Sequence, residues 1–438
     1  MTKRLFSLFF AALFAIMCVV PLAGLALTGG AKAGANEVLA AKPALIRRDG
    51  SLNGDYLADL ADYIGDRFYL RQECVTAWAK LNAALWRTSV TEDVVLGSDG
   101  WLYFAPTLAD YTRTAPMTER ELWCAARTLA LLQEHAESRG RKFIFTIAPN
   151  KNSLYDASMP ELPRAEGASN AERLQLLLDD MGVHYLDLFA VFDAQDEVLY
   201  FPTDSHWNAK GAARAADAIN AALGRESAVS SGPFTPGAHK GDLYEMLYPA
   251  GKAQDEDLIY TPGFTFTANT QNPDNARITA EGPGTGELLL YRDSFGRNLY
   301  PYLAESFETS VFSRKNDYDP TAMADGGALI IELVERNLRY LNTYAPSLPA
   351  PERDAALIEG TSARGELPVT IADGSVSGSF GELRPDEDSP VYIAVDGNVY
   401  EAVPQPEGFS AVLSVPAGEL HIVFTCGGEL ISLLGIIE

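Results

Sequence analysis

The chain has 438 residues, with 34 Lys plus Arg against 59 Asp plus Glu and a net charge of −25. A field this acidic repels polyphosphate and argues against a nucleic-acid partner. With 47% hydrophobic and 21% charged residues the chain reads as globular, and its length predicts two or three folded units.

Lys3 and Arg4 precede a charge-free stretch of 23 residues, Leu5 to Leu27, which as a helix spans roughly 35 Å, enough for a bilayer core. It reads as either a secretion signal, with Ala31-Lys32-Ala33 resembling a small-residue cleavage site, or an uncleaved signal anchor. Residues 1–33 are therefore set apart, and both readings place the rest outside the cytoplasm. Cys18 lies in this run, leaving Cys74, Cys124 and Cys426. A Cys74 to Cys124 disulfide is open, because sequence alone does not set connectivity. No CxxC pair or zinc-type His/Cys spacing occurs, so no metal is expected.

Residues 34–90 form an N-terminal helical segment, with Leu57, Leu60, Tyr63 and Ile64, then Trp78, Leu81, Leu85 and Trp86, at helical spacing. A turn at Gly97-Ser98-Asp99-Gly100 leads into Trp101-Leu102-Tyr103-Phe104. Thr118 with Glu121 is a capping box opening a helix to about Arg139, and Lys142 to Ala148 is a buried strand. Ser169 with Glu172 opens a helix from Leu174 to Met181, followed by a strand from Val183 to Phe189. Val198 to Phe201 reads as a short strand, leading into a loop and a helix from Ala209 to Leu223. The strand Glu287 to Arg292 precedes a turn and a helix up to about Ser306. Ser310 to Ser313, Ala328 to Val334 and a short helix Glu335 to Leu341 complete the alternation.

Strands separated by helices predict a largely parallel sheet covered on both faces, an α/β domain over residues 91–345. Pro346, Pro349 and Pro351 mark a linker at 346–354. Residues 355–438 read as a separate all-β, sandwich-like domain, with Pro390 to Val395 and Asn398 to Val403 joined as a hairpin at Asp396-Gly397.

Ser294 sits in a strand-to-helix turn, Arg292-Asp293-Ser294-Phe295-Gly296, at the carboxyl edge of that sheet. Ligands bind at such edges, and the next helix offers N–H groups and a positive dipole end to an oxyanion. A Ser in such a turn is also an ordinary N-cap. The second candidate is Thr203-Asp204-Ser205-His206-Trp207. Asp204 can fix the tautomer of His206 so that its other nitrogen takes a proton from serine; the bland alternative is a turn whose Asp caps a helix. His135 and His184 fall in periodic segments and read as packing residues, while His239 is a reserve base. Asn150 is a candidate oxyanion donor, and Lys151, Arg292 and Arg314 are candidate anion-holding groups, though each is also an ordinary turn residue or solvated charge. Glu332, inside a strand, calls for a buried cation, one of those arginines. The glycines at 282, 284 and 286 precede a strand, so no phosphate site is expected and no nucleotide cofactor is implied.

Taken in order, Asp99-Gly100-Trp101-Leu102-Tyr103-Phe104, Ala148-Pro149-Asn150-Lys151, Thr203-Asp204-Ser205-His206-Trp207, Asp293-Ser294-Phe295-Gly296 and Val334-Glu335-Arg336-Asn337 resemble the DHHW proteins and the SGNH-hydrolase-like alginate O-acetyltransferases. The resemblance covers about residues 53–342 and implies a three-layer α/β/α fold. It implies acetyl transfer to, or removal from, an exopolysaccharide outside the cytoplasmic membrane, often beside a membrane-bound O-acyltransferase that exports the acetyl group. By motif, Ser294 is then the nucleophile, His206 the general base, Asp204 its orienting partner, and Trp207 a flanking binding residue. The name-giving motif reads Asp-Ser-His-Trp here. In position alone, residues 355–438 are similar to a carbohydrate-binding module. An acetyl esterase with the same triad and a non-catalytic glycan-binding surface protein are the alternatives.

Overall fold

The structure, a computed structural model, describes residues 2–34, 37–322, 325–372, 374–413 and 418–437. The apolar N-terminal run forms one helix, α1 (Thr2–Thr28), whose segment from Arg4 to Thr28 is long and apolar enough to cross a membrane. It packs against neither core. Two further helices follow at Tyr56–Arg67 and Arg71–Trp86. Their apolar stripes do not reach a core as their periodicity suggests, since Leu57, Trp78, Leu81, Leu85 and Trp86 are exposed.

The centre of the molecule is a seven-stranded sheet. In chain order its strands are β1 (Lys142–Ala148), β2 (Tyr185–Leu186), β3 (Thr267–Ala268), β4 (Arg277–Glu281), β5 (Glu287–Tyr291), β6 (Thr309–Ser313) and β7 (Ala328–Val334). In space they run β2-β1-β7-β5-β6-β4-β3. The first five are parallel and the last two antiparallel, so the expected parallel sheet carries an antiparallel edge.

A strand sends alternate side chains to opposite faces, and β7 shows how that makes three layers. Ile330 and Val334 join a core with the helices α4 (Ala209–Ala222) and α5 (Gly296–Ser306). Leu329, Ile331 and Leu333 join another with α2 (Glu119–Ser138) and α3 (Asn170–Asp180). The helices begin where the sequence places them. Thr118 and Ser169 accept from the backbones of Glu121 and Glu172, whose carboxylates return the bond, and Asn208 caps α4. This is the three-layer α/β/α architecture expected of residues 91–345.

Two expected strands are not sheet strands. Val183 to Phe189 supplies only the two residues of β2 before Asp187 caps a helix at Leu188–Asp193. Val198 to Phe201 runs outside the sheet, and only Tyr200 forms a bridge, to Trp207. A hairpin that the sequence left as loop joins Phe234–His239 to Asp255–Tyr260.

The C-terminal unit is an eight-stranded sheet with its own core, and its Asp396-Gly397 hairpin turn has positive φ at both residues, as a tight primed turn requires. Glu352 and Arg353, inside the Pro-rich stretch, already pair with Tyr400 and Val399, so that stretch is partly sheet. The two units are joined by Glu401, which is 1% exposed. Its carboxylate takes two bonds of 2.6 Å from Arg127 of α2 and one of 2.7 Å from Arg353, and Arg353 also binds Glu134. Cys74, Cys124 and Cys426 are free thiols, and Cys124 is fully buried in α2 while Cys74 is exposed, so the disulfide does not form.

Removing one member of a buried ion network leaves its partners unpaired in low dielectric. Glu401→Ala is expected to destabilise the protein by about 3 kcal/mol, read as an earlier midpoint in denaturant unfolding.

Candidate active site

Ser294 lies just past the carboxyl end of β5, and its turn is held by Asp293. Asp293 Oδ1 accepts from Phe295 N (2.9 Å), and Oδ2 accepts from Val334 N (2.7 Å) and Asn337 Nδ2 (2.9 Å). The Ser294 turn is thereby tied to the end of β7. Gly296 is required next because a Cβ there would lie 2.4 Å from the Arg292 side chain, which crosses under the turn. The first N–H groups of α5 follow, the feature that favours an oxyanion beside the serine.

His206 lies in a loop before α4. Its Nδ1 is 2.7 Å from Asp204 Oδ1, and its Nε2 is buried with no hydrogen-bond partner. That is the arrangement a general base needs: one nitrogen oriented by a carboxylate, the other free to take a proton. The two loops are joined directly. Trp207 Nε1 donates to Phe295 O (3.1 Å), Asn298 Nδ2 donates to Trp207 O (3.1 Å), and the His206 ring centroid lies 4.9 Å from that of Phe295. With no partner on Nε2, His206 makes no hydrogen bond to Ser294 Oγ in this structure; the two side chains are placed on loops joined through Phe295.

Asp204 is more than a partner of one histidine. Oδ1 also accepts from His206 N (2.9 Å), while Oδ2 accepts from His239 Nε2 (2.6 Å) and Asp242 N (3.0 Å). Burial works against its charge, but His206 and His239 together hold its pKa well below the usual carboxylate range. His239 is likewise opposed by burial, yet Asp204 raises its pKa above the ordinary imidazole value. It stacks on Phe201 at 4.1 Å. The reserve base is thus an Asp204 ligand on the hairpin that sequence reading missed.

Ser205 stands where the family motif has histidine, and it has its own task. Its hydroxyl donates to Asp242 Oδ2 (2.6 Å), and its N–H donates to Asp242 Oδ1 (2.8 Å). Asp204, His206 and Asp242 bring ligand atoms within 4.8 Å of one another, a spacing that could hold a cation. All four carboxylate oxygens of Asp204 and Asp242 already accept N–H or O–H donors, so the cluster stands as a hydrogen-bond cage.

Four sequence candidates serve structure instead of substrate. Lys151, 4% exposed, donates to the carbonyls of Phe201, Pro202 and Asp204 (3.1, 2.9 and 2.6 Å), and burial pushes its pKa down to about 7. It pins the Asp204 loop and is not available to an acidic sugar. Asn150 is fully buried and its amide reaches Asp110 Oδ2 at 3.4 Å, which removes it as an oxyanion donor. Arg292, 2% exposed, donates to Pro273 O (2.7 Å), and burial lowers its pKa to about 10. Trp207 is fully buried and positions the Ser294 turn without facing substrate.

Arg314 stays partly exposed but is held at 3.6 Å from Asp274. Glu332 feels the Arg292 and Arg336 charges without a direct bond to either: both its oxygens are buried without a hydrogen-bond partner, and burial, reinforced by Asp293, outweighs the arginines and raises its pKa well above the usual range. His184 is exposed and not a packing residue. Sequence reading quoted Glu335 and Arg336 without giving them roles. Glu335 accepts from Asn150 N (3.0 Å) and Ser153 Oγ (2.6 Å), and the Arg336 guanidinium lies 5.2 and 5.6 Å from the Phe104 and Phe295 rings.

A parallel α/β sheet with a serine at its carboxyl edge and an Asp-x-His-Trp loop beside it defines an SGNH-hydrolase-like protein. Residues 94–315, just over half of the chain, match the family described as "SGNH hydrolase-like domain, acetyltransferase AlgX", and the chain belongs to that family. A curated relative is the probable alginate O-acetylase AlgJ of Pseudomonas syringae pv. tomato, 27% identical over 209 residues, 45% of this chain and 51% of the relative. The match thus spans about half the length of that relative. Similar solved structures include the O-acetyltransferase domain of Pseudomonas putida AlgJ (16% identity, 56% of this chain and 92% of that one, TM-score 0.37) and Bacillus cereus PatB1 (17%, 56% and 99%, 0.42). A DHHW family protein from Eubacterium siraeum is similar too (15%, 59% and 97%, 0.42).

Burial, its largest cause, raises the Glu335 pKa from 4.5 to about 7. A carboxyl whose folded pKa is raised contributes stability below its unfolded pKa and loses it as pH climbs through the folded value. Relative to Glu335→Gln, which keeps an acceptor oxygen, the wild type is expected to lose about 3 kcal/mol between pH 4.5 and 7.5. Urea unfolding of both proteins across that range measures it.

Proposed function

We propose that this chain is an exported, membrane-tethered serine O-acyltransferase that acetylates an extracytoplasmic polysaccharide. Ser294 is the nucleophile, His206 the base and Asp204 the group that orients it. The observation that carries the reading is the free, buried His206 Nε2 in a ring fixed by Asp204, on a loop hydrogen-bonded to the residue after Ser294. The family membership and the names of the relatives, an alginate O-acetylase among them, support acetyl transfer as the chemistry. Helix α1 supports a position at the outer face of a membrane, where a membrane-bound O-acyltransferase can present the acetyl group.

The chemistry proceeds in two balanced steps. Ser294 Oγ bonds to the acetyl carbonyl carbon as His206 Nε2 takes its proton, and the oxygen that gains charge faces the N–H groups opening α5. Collapse expels the donor's leaving group, which takes the proton from His206. A sugar hydroxyl then attacks the acetyl-serine, passing its proton to His206, and Ser294 is regenerated with that proton. Asp204 keeps Nδ1–H turned inward and stabilises the imidazolium in both steps.

Hydrolysis of p-nitrophenyl acetate is expected from the wild type and should fall by about a thousandfold or more in Ser294→Ala and His206→Ala. Equal rates in all three proteins would end the catalytic reading. Adding an oligosaccharide and finding acetylated sugar by mass spectrometry is the expected result for a transferase; release of acetate alone assigns an esterase. Trp207→Phe keeps the ring but removes the N–H that ties the two loops. It should lower kcat about tenfold with little change in KM, because it moves the base and leaves the binding surface intact.

A further inference from the structure

At the same edge of the sheet, beyond the ends of β1 and β2, lies a pocket of about 350 Å³ that neither Ser294 nor His206 lines. That volume is at the lower end of those that hold small ligands. Its walls come from the segment after β1, the N-terminus of α3 and the short helix Leu108–Thr112. Asn152 is the informative group there. It is 1% exposed, lines the pocket, and neither its carbonyl oxygen nor its amide nitrogen has a partner. A buried primary amide with both ends unpaired costs a few kcal/mol unless something supplies an acceptor and a donor together. Adjacent hydroxyls of a sugar ring do so.

The charges in the wall decide which sugar. Asp110, Asp156, Asp187 and Glu335 face Arg113 and Arg164, and Arg164 is already bound to Asp156 at 2.6 Å. Burial raises the pKa of both Asp110 and Glu335, and at Glu335 the neighbouring Asp110 and Glu172, both in the wall, add to the rise, so the wall disfavours further negative charge. With the chain at −25 overall, a carboxylate-bearing sugar meets repulsion at both short and long range. Carboxylates that accept O–H bonds suit an uncharged, hydroxyl-rich ring.

The pocket is also linked to the nucleophile. Glu335 lines it, while Val334 N and Asn337 Nδ2, on either side in the same turn, hold Asp293 next to Ser294. Strands β7 and β1 separate β5 from the pocket, and neighbouring strands lie about 4.8 Å apart, so its mouth is roughly 10–15 Å from Ser294. A short oligosaccharide spans that distance. We infer that this pocket is a subsite for an uncharged pyranose unit of the acceptor chain, held by Asn152 while another unit of the same chain presents its hydroxyl to Ser294. The inference deepens the acyltransferase reading and rests on it.

The test measures binding apart from chemistry. Full-length Ser294→Ala protein in detergent is titrated calorimetrically with cellohexaose, chitohexaose and a mannuronate hexamer. The neutral oligomers should bind about tenfold or more tighter than the uronate. Adding Asn152→Ala, or Gln175→Trp to fill the pocket from α3, should weaken that binding about tenfold. On a chain that keeps its serine at position 294, Gln175→Trp should leave p-nitrophenyl acetate hydrolysis within about twofold of wild type. Gln175 is half-buried and is not among the core residues of α3, Ala171, Leu174 and Leu178, so its variant tests the pocket even where Asn152→Ala unfolds. Equal binding of the uronate, no binding of either neutral oligomer, or full binding by both pocket variants overturns the subsite. Neutral-oligomer binding by a wild type that hydrolyses no ester would instead sink the acyltransferase reading and leave the pocket standing.

Discussion

The site depends on one buried carboxylate. Asp204 gathers donors from its own loop, from His206, from the hairpin residue His239 and from the N–H of Asp242. An isolated carboxylate at this depth would be protonated, because burial penalises charge. Four directed donors reverse that and keep it anionic. A fixed anion in turn orients the His206 ring, leaving Nε2 as its only open face. The hairpin from Phe234 to Tyr260 is thus part of the site, since it delivers His239 and the segment leading to Asp242. Gly241 permits the approach, as a Cβ there would lie 2.1 Å from Thr203 O.

Around this centre, buried cations act as fasteners. Lys151 and Arg292 each spend their N–H groups on backbone carbonyls of irregular loops, Phe201 to Asp204 in one case and Pro273 to Asn275 in the other. Loops at a sheet edge have no ladder to satisfy their carbonyls, and a cation with several donors meets that need in one stroke. The cost appears in their lowered pKa values. The same logic makes the Val334-Glu335-Arg336-Asn337 turn a junction, fastening the Ser294 turn on one side and the Asn150 loop on the other.

Much of this was legible in the sequence. Period-two and period-3.6 patterns, two capping boxes and the Asp-Gly hairpin located the long elements, because those signals are local. The Ser294 turn was legible because it joins a sheet strand to a helix, and the Asp204-His206 loop because it places a carboxylate two residues from a histidine before a helix, although the stretch leading into it lies outside the sheet. Short elements were harder. β2 is two residues long, and the hairpin strands Phe234–His239 and Asp255–Tyr260 carry Pro, Gly and acidic residues that hide a strand pattern. The exposed stripes of the two helices that follow α1 show the limit of periodicity, which tells which face is apolar and nothing of what covers it.

By itself the sequence determined the chemistry available: a serine, a histidine and an aspartate in edge loops, an acidic chain, and one helix fit to cross a membrane. Only the tertiary structure decided which charged groups were free to use. Lys151, Asn150 and Arg292 look like ligands for a substrate until their burial and carbonyl partners are known, whereas His239 and Asp242 gain meaning only beside Asp204. The physical reason is that a polar side chain's role is set by its distance to partners far along the chain and by its access to water, and neither quantity is written in local sequence.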